Sequence, residues 1–325
     1  MNKREVGKGT VLGALAGDAA GATLEFMGKK PHRDEVIHAL KMVGGGCWRT
    51  APGQVTDDGE MMLCLMQALA EADTFSIARV AGKYLQWHLS LPFDAGLTTS
   101  TGLAGGIGRP EDEIHEGMWQ AAALANGGSK ANGSLMRIAP LGVWGSRLSE
   151  EALVEAACMD SRLTHNNPVC QHASAVYCLA IRHLMRNPGD SAGAFTTAQE
   201  WAFRLGDSEV QDWLALAAED VDVGYWPKSG FVKYAFIHAF RHLKKRSSYP
   251  DAIFETLLGG GDTDTNACIV GGLTGALHGE EGIPAHMKQA VLECDTVRGI
   301  PRPEFLQIRV QLPLLWDKLI ECDKG

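Results

Sequence analysis

The 325-residue chain has no run of lysine or arginine, no Cys-x-x-Cys pair and no Ser/Gly, proline-rich or single-charge tract. It also lacks any uninterrupted apolar stretch of the ~18 residues that a membrane span needs. Each absence excludes something. With a net charge of −9 the chain has no basic footprint for general nucleic-acid binding. Its densest basic cluster, Lys244-Lys245-Arg246, reads as the tail of a helix, where cations complement the dipole. The eight cysteines form no compact framework, and Cys64, Cys178 and Cys268 sit in apolar helical context, so reduced core thiols and a cytoplasmic location are expected. Lys3, Arg4 and Lys8 do precede the apolar run Val11–Ala16, but Asp18 stops that run after about seven residues, at the lower edge for a signal-peptide core, so secretion is not expected. Length alone permits two domains; the absence of a linker predicts one, spanning residues 1–325.

Helical periodicity is abundant. Apolar residues recur at three- and four-residue spacing near 10–26, 57–72, 74–89, 149–163, 168–186, 191–205, 208–220, 230–243, 250–258, 264–278, 284–296 and 303–322. Only short stretches such as Val36–Met42 have strand character. The reading is all-α. Gly13, Gly17 and Gly21 recur every four residues, as do Gly271, Gly275 and Gly279, which places each set along one helix face. A helical glycine costs up to ~1 kcal/mol relative to alanine. Two helices carrying such stripes are expected to pack closely, and the second begins at Asp264.

That second helix opens on Gly261-Asp262-Thr263-Asp264-Thr265-Asn266, and an earlier one opens on Val55-Thr56-Asp57-Asp58-Gly59-Glu60. Each segment clusters carboxylates and a threonine hydroxyl after a glycine-containing turn. Either one alone reads as helix capping, with acids in the first turn favoured by the macrodipole. Their joint occurrence favours metal binding, because hard oxygen donors without Cys or His suit Mg²⁺ or Mn²⁺. If the segments meet, they offer four carboxylates and two hydroxyls, enough for two divalent ions.

Other residues leave two readings open. Glu25 interrupts an apolar stretch and is either a surface residue or an acid directed into the metal cleft. Asp94, in Leu91–Gly96, reads by itself as a turn aspartate. Asn132-Gly133-Ser134, after Gly127-Gly128-Ser129, is either an ordinary turn or a phosphate-binding nest. His165, in Thr164-His165-Asn166-Asn167-Pro168, sits in what reads as a helix-capping loop. No Ser-His-Asp or Cys-His order stands out.

Six ordered blocks resemble the ADP-ribosylglycohydrolase family, and within it the dinitrogenase reductase-activating glycohydrolases. After the glycine-rich start Gly13–Ala22 come Leu24–Met27, Gly44–Gly46, Pro52–Asp58, Asn132–Ser134, Thr164–Asn166 and Gly260–Thr265. The resemblance covers nearly the whole chain. It implies a single-domain orthogonal helical bundle with two Mg²⁺ or Mn²⁺ ions, cleaving ADP-ribose from an acceptor, most closely an arginine on a protein. By the same resemblance Thr56, Asp57, Asp58, Asp262, Asp264 and Thr265 are the metal ligands. Asp58, Glu25 and Asp94 are the catalytic carboxylates, with Asp94 assisting ring opening or the leaving guanidine. Asn132, Gly133 and Ser134 bind the diphosphate, His165 touches the ribose, and Tyr225 stacks on adenine. Gly59 stands where relatives often carry threonine, which is expected to relax the helix start. Two other readings stand beside hydrolysis at arginine. One is another linkage: serine, O-acetyl-ADP-ribose or nucleic acid. The other is an immunity-type protein that neutralises an ADP-ribosyltransferase by hydrolysis, by occlusion or by both.

Overall fold

The computed structural model describes residues 1–320, so Glu321 and Cys322, the last residues of the final expected helix, lie outside the described residues. Sixteen α-helices follow one another among them. The first eight are α1 (Lys3–Gly21), α2 (Arg33–Ala39), α3 (Asp57–Ala70), α4 (Ile77–Leu89), α5 (Leu97–Ala104), α6 (Ile114–Ala125), α7 (Ala139–Trp144) and α8 (Glu150–Arg162). The rest are α9 (Pro168–Arg186), α10 (Ser191–Arg204), α11 (Ser208–Ala218), α12 (Val232–Lys245), α13 (Tyr249–Gly259), α14 (Thr263–His278), α15 (Ala285–Leu292) and α16 (Ile308–Leu319). Among the described residues there is no strand, only the isolated bridges Gly45–Thr50 and Ala131–Phe231. Among the described residues no helix is long and apolar enough to cross a membrane.

The core is built around α1 and α14, each buried along almost its whole length. A helix apolar on all sides must lie inside, and these two lie against each other, antiparallel. Their glycines set the separation. A Cβ on Gly13 would fall 2.4 Å from the Gly271 carbonyl oxygen, one on Gly17 2.1 Å from that of Ala267, and one on Gly21 2.3 Å from that of Thr263. The stripes therefore pack backbone to backbone, as their spacing predicts, and Gly9 against Gly275 extends the same register. The Thr263 hydroxyl locks its end of the pair by donating to the Gly21 carbonyl at 2.8 Å.

The differences from the periodicity reading have local causes. Helix α1 starts at Lys3 rather than residue 10 because Asn2 and Glu5 form a capping box, each side chain accepting from the other's amide at 2.9 and 2.8 Å. It ends at Gly21, not 26, and Phe26 takes a left-handed φ of 55°. That turn carries Glu25 off the helix. The stretch Val36–Met42 is not a strand: Glu35 accepts from the His32 amide at 2.6 Å, and Val36 and Ala39 bury one face of α2. Helix α7 was not expected because all six of its residues are buried, which erases any polar face. Helices α5 and α6 also lie where no helix was expected; α5 is rich in threonine and serine, with little apolar contrast.

Candidate active site

The two acidic segments meet. The α1–α14 pairing brings Asp262–Thr265 to the C-terminal end of α1, and α3 starts alongside. Thr265 Oγ1 stands 3.3 Å from Asp58 Oδ2 across 207 residues of sequence. Thr56 Oγ1 reaches the same oxygen at 3.2 Å. The other oxygen, Asp58 Oδ1, is buried with no hydrogen-bond partner. An orphaned buried carboxylate oxygen is costly unless a cation or water completes it.

Glu25, Asp262 and Asp264 form the tightest group, each offering an oxygen within 4.8 Å of the others. Glu25 thus belongs to the carboxylate set itself and is not a surface residue. Asp57 lines the same cleft from α3, and Asp94 faces it from the loop before α5. All-oxygen donors of this number fit a hard divalent cation. Glu25, Asp57, Asp58, Asp262 and Asp264, with the Thr56 and Thr265 hydroxyls, are the groups that could hold one.

Crowding carboxylates in a buried site keeps them protonated. Burial, then the Asp94 charge, pushes Glu25 up to about 8. Burial and the Asp262 charge push Asp94 up to about 6. Asp57, Asp58 and Asp264 are also raised well above the usual carboxylate range, burial being the larger cause in each and a neighbouring carboxylate the next. A bound cation would take the place of those protons and favour the ionised form.

Two positioning residues escaped the sequence reading. Asp18 is fully buried in α1 and accepts from the Thr56 amide, the Thr56 hydroxyl and the Gly59 amide at 3.1, 2.9 and 2.9 Å. It therefore anchors the first turn of α3. Gly59 does not relax that turn; a Cβ there would lie 2.8 Å from Asp18 Oδ2 and 2.6 Å from the Val55 Cβ, so the close approach requires glycine. The available signal was a lone carboxylate inside the Gly/Ala/Leu face of α1. Trp48 is the second: its indole Nε1 donates to Glu25 Oε2 at 2.8 Å. Its ring meets Phe26 and Phe93 edge-on, at 6.1 and 5.8 Å between centroids, and so ties the Glu25 turn to the Asp94 loop.

The cleft has a volume of about 560 Å³, within the usual range for small-molecule sites. Asn132 and Gly133 form part of its wall, and Asn132 Nδ2 donates to Asp262 Oδ2 at 2.8 Å. Ser134 is fully buried, and its hydroxyl accepts from Ser174 at 3.5 Å rather than lining the cleft. His165 does line it, packed beneath Gly133, whose added Cβ would come 3.0 Å from the imidazole Cε1. Burial, then the Arg137 charge, pushes His165 down to about 3, so the ring is neutral. Thr164 Oγ1 accepts from Arg137 and lies 2.8 Å from His165 Nδ1; with the hydroxyl assigned as donor to Nδ1, the ring proton sits on Nε2, which has no protein partner.

Tyr225 is not placed to stack on a ligand. It is 3% exposed, one face stacked on His238 at 4.3 Å, with Gly259 and Gly261 packed so close that a Cβ on either would collide with it. The neighbouring Trp226, 43% exposed, lines the cleft instead. Chain position alone does not separate two adjacent aromatics whose side chains point to opposite sides.

Comparison with known proteins gives the family. A sequence model described as ADP-ribosylglycohydrolase matches residues 1–314. The chain is 32% identical to a putative ADP-ribosyl glycohydrolase of Acanthamoeba polyphaga mimivirus, covering 96% of each chain. It is 30% identical to the ADP-ribosyl-[dinitrogen reductase] glycohydrolase of Rhodospirillum rubrum over 85% of this chain and 87% of that protein. An ADP-ribosylarginine hydrolase of Pseudomonas putida is 28% identical over 92% of this chain and 77% of that protein. A solved structure titled ADP-ribosylglycohydrolase-related protein complex shares the fold, with a TM-score of 0.74 at 22% identity over 98% of both chains. On these matches the protein belongs to the ADP-ribosylglycohydrolase family.

Proposed function

We propose that the protein is a divalent-cation-dependent hydrolase that removes ADP-ribose from ADP-ribosylated protein, with an arginine side chain as the acceptor. The observation that carries this reading is the unpartnered Asp58 oxygen beside the Glu25–Asp262–Asp264 group, at the base of a ligand-sized cleft. The choice of arginine is supported by the relatives: the proteins from R. rubrum and P. putida are named for dinitrogen reductase and ADP-ribosylarginine, at 30% and 28% identity. The chicken ADP-ribosylhydrolase ARH3 is more distant, at 24%.

Cleavage at the anomeric carbon develops oxocarbenium character in the ribose. A pair of Mg²⁺ or Mn²⁺ ions, when bound by Thr56, Asp57, Asp58, Asp262, Asp264 and Thr265, supplies Lewis-acid polarisation and a more acidic water. The remaining chemistry falls to the chain. Asn132 and Gly133 receive the diphosphate, with the Ser134 side chain turned inward. The Nε2 proton of His165 is a donor for the ribose. Glu25, steadied by Trp48, is placed to accept a proton from the attacking water, with Asp58 as the other candidate. Asp94, raised toward neutrality beside Glu25, is placed to protonate the ring oxygen or the departing guanidine.

The test is a substrate panel on protein stripped of metal by chelation and then supplied with Mn²⁺ or Mg²⁺. ADP-ribose release from an ADP-ribosylarginine protein, dependent on the restored cation, is the expected result. Release only from ADP-ribosylserine or O-acetyl-ADP-ribose would transfer the activity to another linkage, and release from none would overturn the hydrolase reading.

A further inference from the structure

Glu60, the last acid of the Thr56–Glu60 stretch, has no place in the cleft wall. It forms a bidentate pair with Arg302: Nε donates to Oε1 at 2.7 Å and Nη2 to Oε2 at 3.0 Å, with both side chains almost wholly sealed from water. Trp87 Nε1 adds a third bond to the carboxylate at 2.8 Å. A buried pair of this kind is weak grounds for stability, since desolvation offsets its attraction and apolar residues often fill the space as well.

The guanidinium has further work, however. Its Nη2 also donates to Ser90 Oγ at 2.9 Å, and Nη1 reaches the carbonyls of Ser90 and Leu91 at 3.4 and 3.3 Å. Ser90 caps α4, and Leu91 turns the chain with a left-handed φ of 55°. Asp94 follows three positions later. Arg302 is itself fixed: its amide donates to Thr296 Oγ1 at 3.2 Å, and its carbonyl accepts from Gln307 Nε2 at 3.1 Å. Ile300, two residues before it, is held by both ends of the Gln54 amide at 2.7 and 3.1 Å, just ahead of Thr56. The segment around Arg302 therefore touches the turn that leads to the α3 carboxylates and the corner that leads to Asp94.

We propose that Arg302 is a positioning residue for catalysis: by clamping the Ser90–Leu91 corner to Glu60, it sets where Asp94 stands relative to the carboxylates of α3. An apolar pair would fill the same volume but could not bind the two carbonyls of that corner. The inference rests on the reading that Asp94 acts on the substrate.

Two variants test it. R302K keeps a cation opposite Glu60, but a single ammonium nitrogen cannot span the carboxylate and the Ser90–Leu91 corner. E60Q/R302M removes the buried charges together, retains an acceptor for Trp87, and so stays folded if the pair is otherwise only structural. Both are expected to melt cooperatively near the wild-type temperature and to bind Mn²⁺ with little change. Hydrogen exchange at residues 91–96 is expected to quicken about tenfold while α3 stays protected. On an ADP-ribosylarginine substrate, kcat is expected to fall about 100-fold with KM nearly unmoved, the size of effect that a misplacement of about 1 Å produces. Unchanged exchange at 91–96 in either variant, or wild-type kcat in E60Q/R302M, would overturn the proposal. Should the wild-type protein itself release no ADP-ribose, the proposed function fails, and the exchange measurement still decides whether Arg302 holds the Asp94 corner.

Discussion

Asp18 has room to act only as an acceptor. Three donors from the start of α3 converge on it, and both of its oxygens are used. An asparagine there would turn an NH₂ group toward at least one of those donors. D18N is therefore expected to lose about 2–3 kcal/mol of stability, measured by urea unfolding. Its Mn²⁺ affinity is expected to drop at least about tenfold by calorimetry, as it does when a group that orients metal ligands is removed. Trp48 offers a milder test of the same principle. W48F keeps an aromatic between Phe26 and Phe93 but deletes the indole donor to Glu25. A roughly tenfold fall in kcat, about 1.4 kcal/mol in the barrier, is expected from steady-state kinetics. Wild-type turnover in W48F would show that Glu25 is held by other contacts. At this scale the sequence was legible wherever several carboxylates stood together, as in Asp57-Asp58 and Asp262–Asp264. It was illegible for single residues such as Asp18, Trp48 and Arg302, whose roles depend on partners that are distant along the chain.

Among the elements, the α1–α14 pair is where glycine carries information. Replacing glycine with alanine in a helix ordinarily gains up to ~1 kcal/mol. At Gly17 the added methyl would meet a backbone carbonyl at 2.1 Å, which no side-chain rotation can relieve. Overpacking of this kind costs about 1–3 kcal/mol and outweighs the gain. G17A is thus expected to melt lower than wild type and to bind Mn²⁺ more weakly, because α14 carries Asp264 and Thr265 on its first turn. Gly82 in α4 is the control, since a Cβ there meets nothing within 4 Å; G82A is expected to hold or raise the melting temperature. Periodicity identified the long amphipathic helices, such as α9 and α12. It missed α7, where burial on every side removes the contrast between faces, and it mistook α2 for strand because a seven-residue helix shows barely two turns of pattern.

For the molecule as a whole, the gathered carboxylates make stability depend on pH and on cations together. Asp94 and Glu25 hold their protons up to about 6 and 8 in the folded chain, chiefly through burial, well above the range of an unfolded carboxylate. The folded state therefore binds more protons than the unfolded state through this window, and stability falls as pH rises. The metal-free protein is expected to unfold at lower urea near pH 8 than near pH 5, with most of the loss between about pH 5 and pH 8. Saturating Mn²⁺ is expected to flatten that slope, since the cation replaces the protons. A slope of the opposite sign in the chelated protein would contradict the burial of this cluster.

The pairing of α1 with α14 also governs when the site can come into being. The Gly21 carbonyl waits 242 residues for the Thr263 hydroxyl that closes on it. At ribosomal speeds of ~5–20 residues per second that interval is on the order of 10–50 s. Until then the glycine-ridged α1 has no mate for its bare backbone groove. A chain halted before Asp262 carries Glu25, Asp57 and Asp58 but lacks Asp262, Asp264 and Thr265, so cation binding is among the last properties the growing polypeptide acquires.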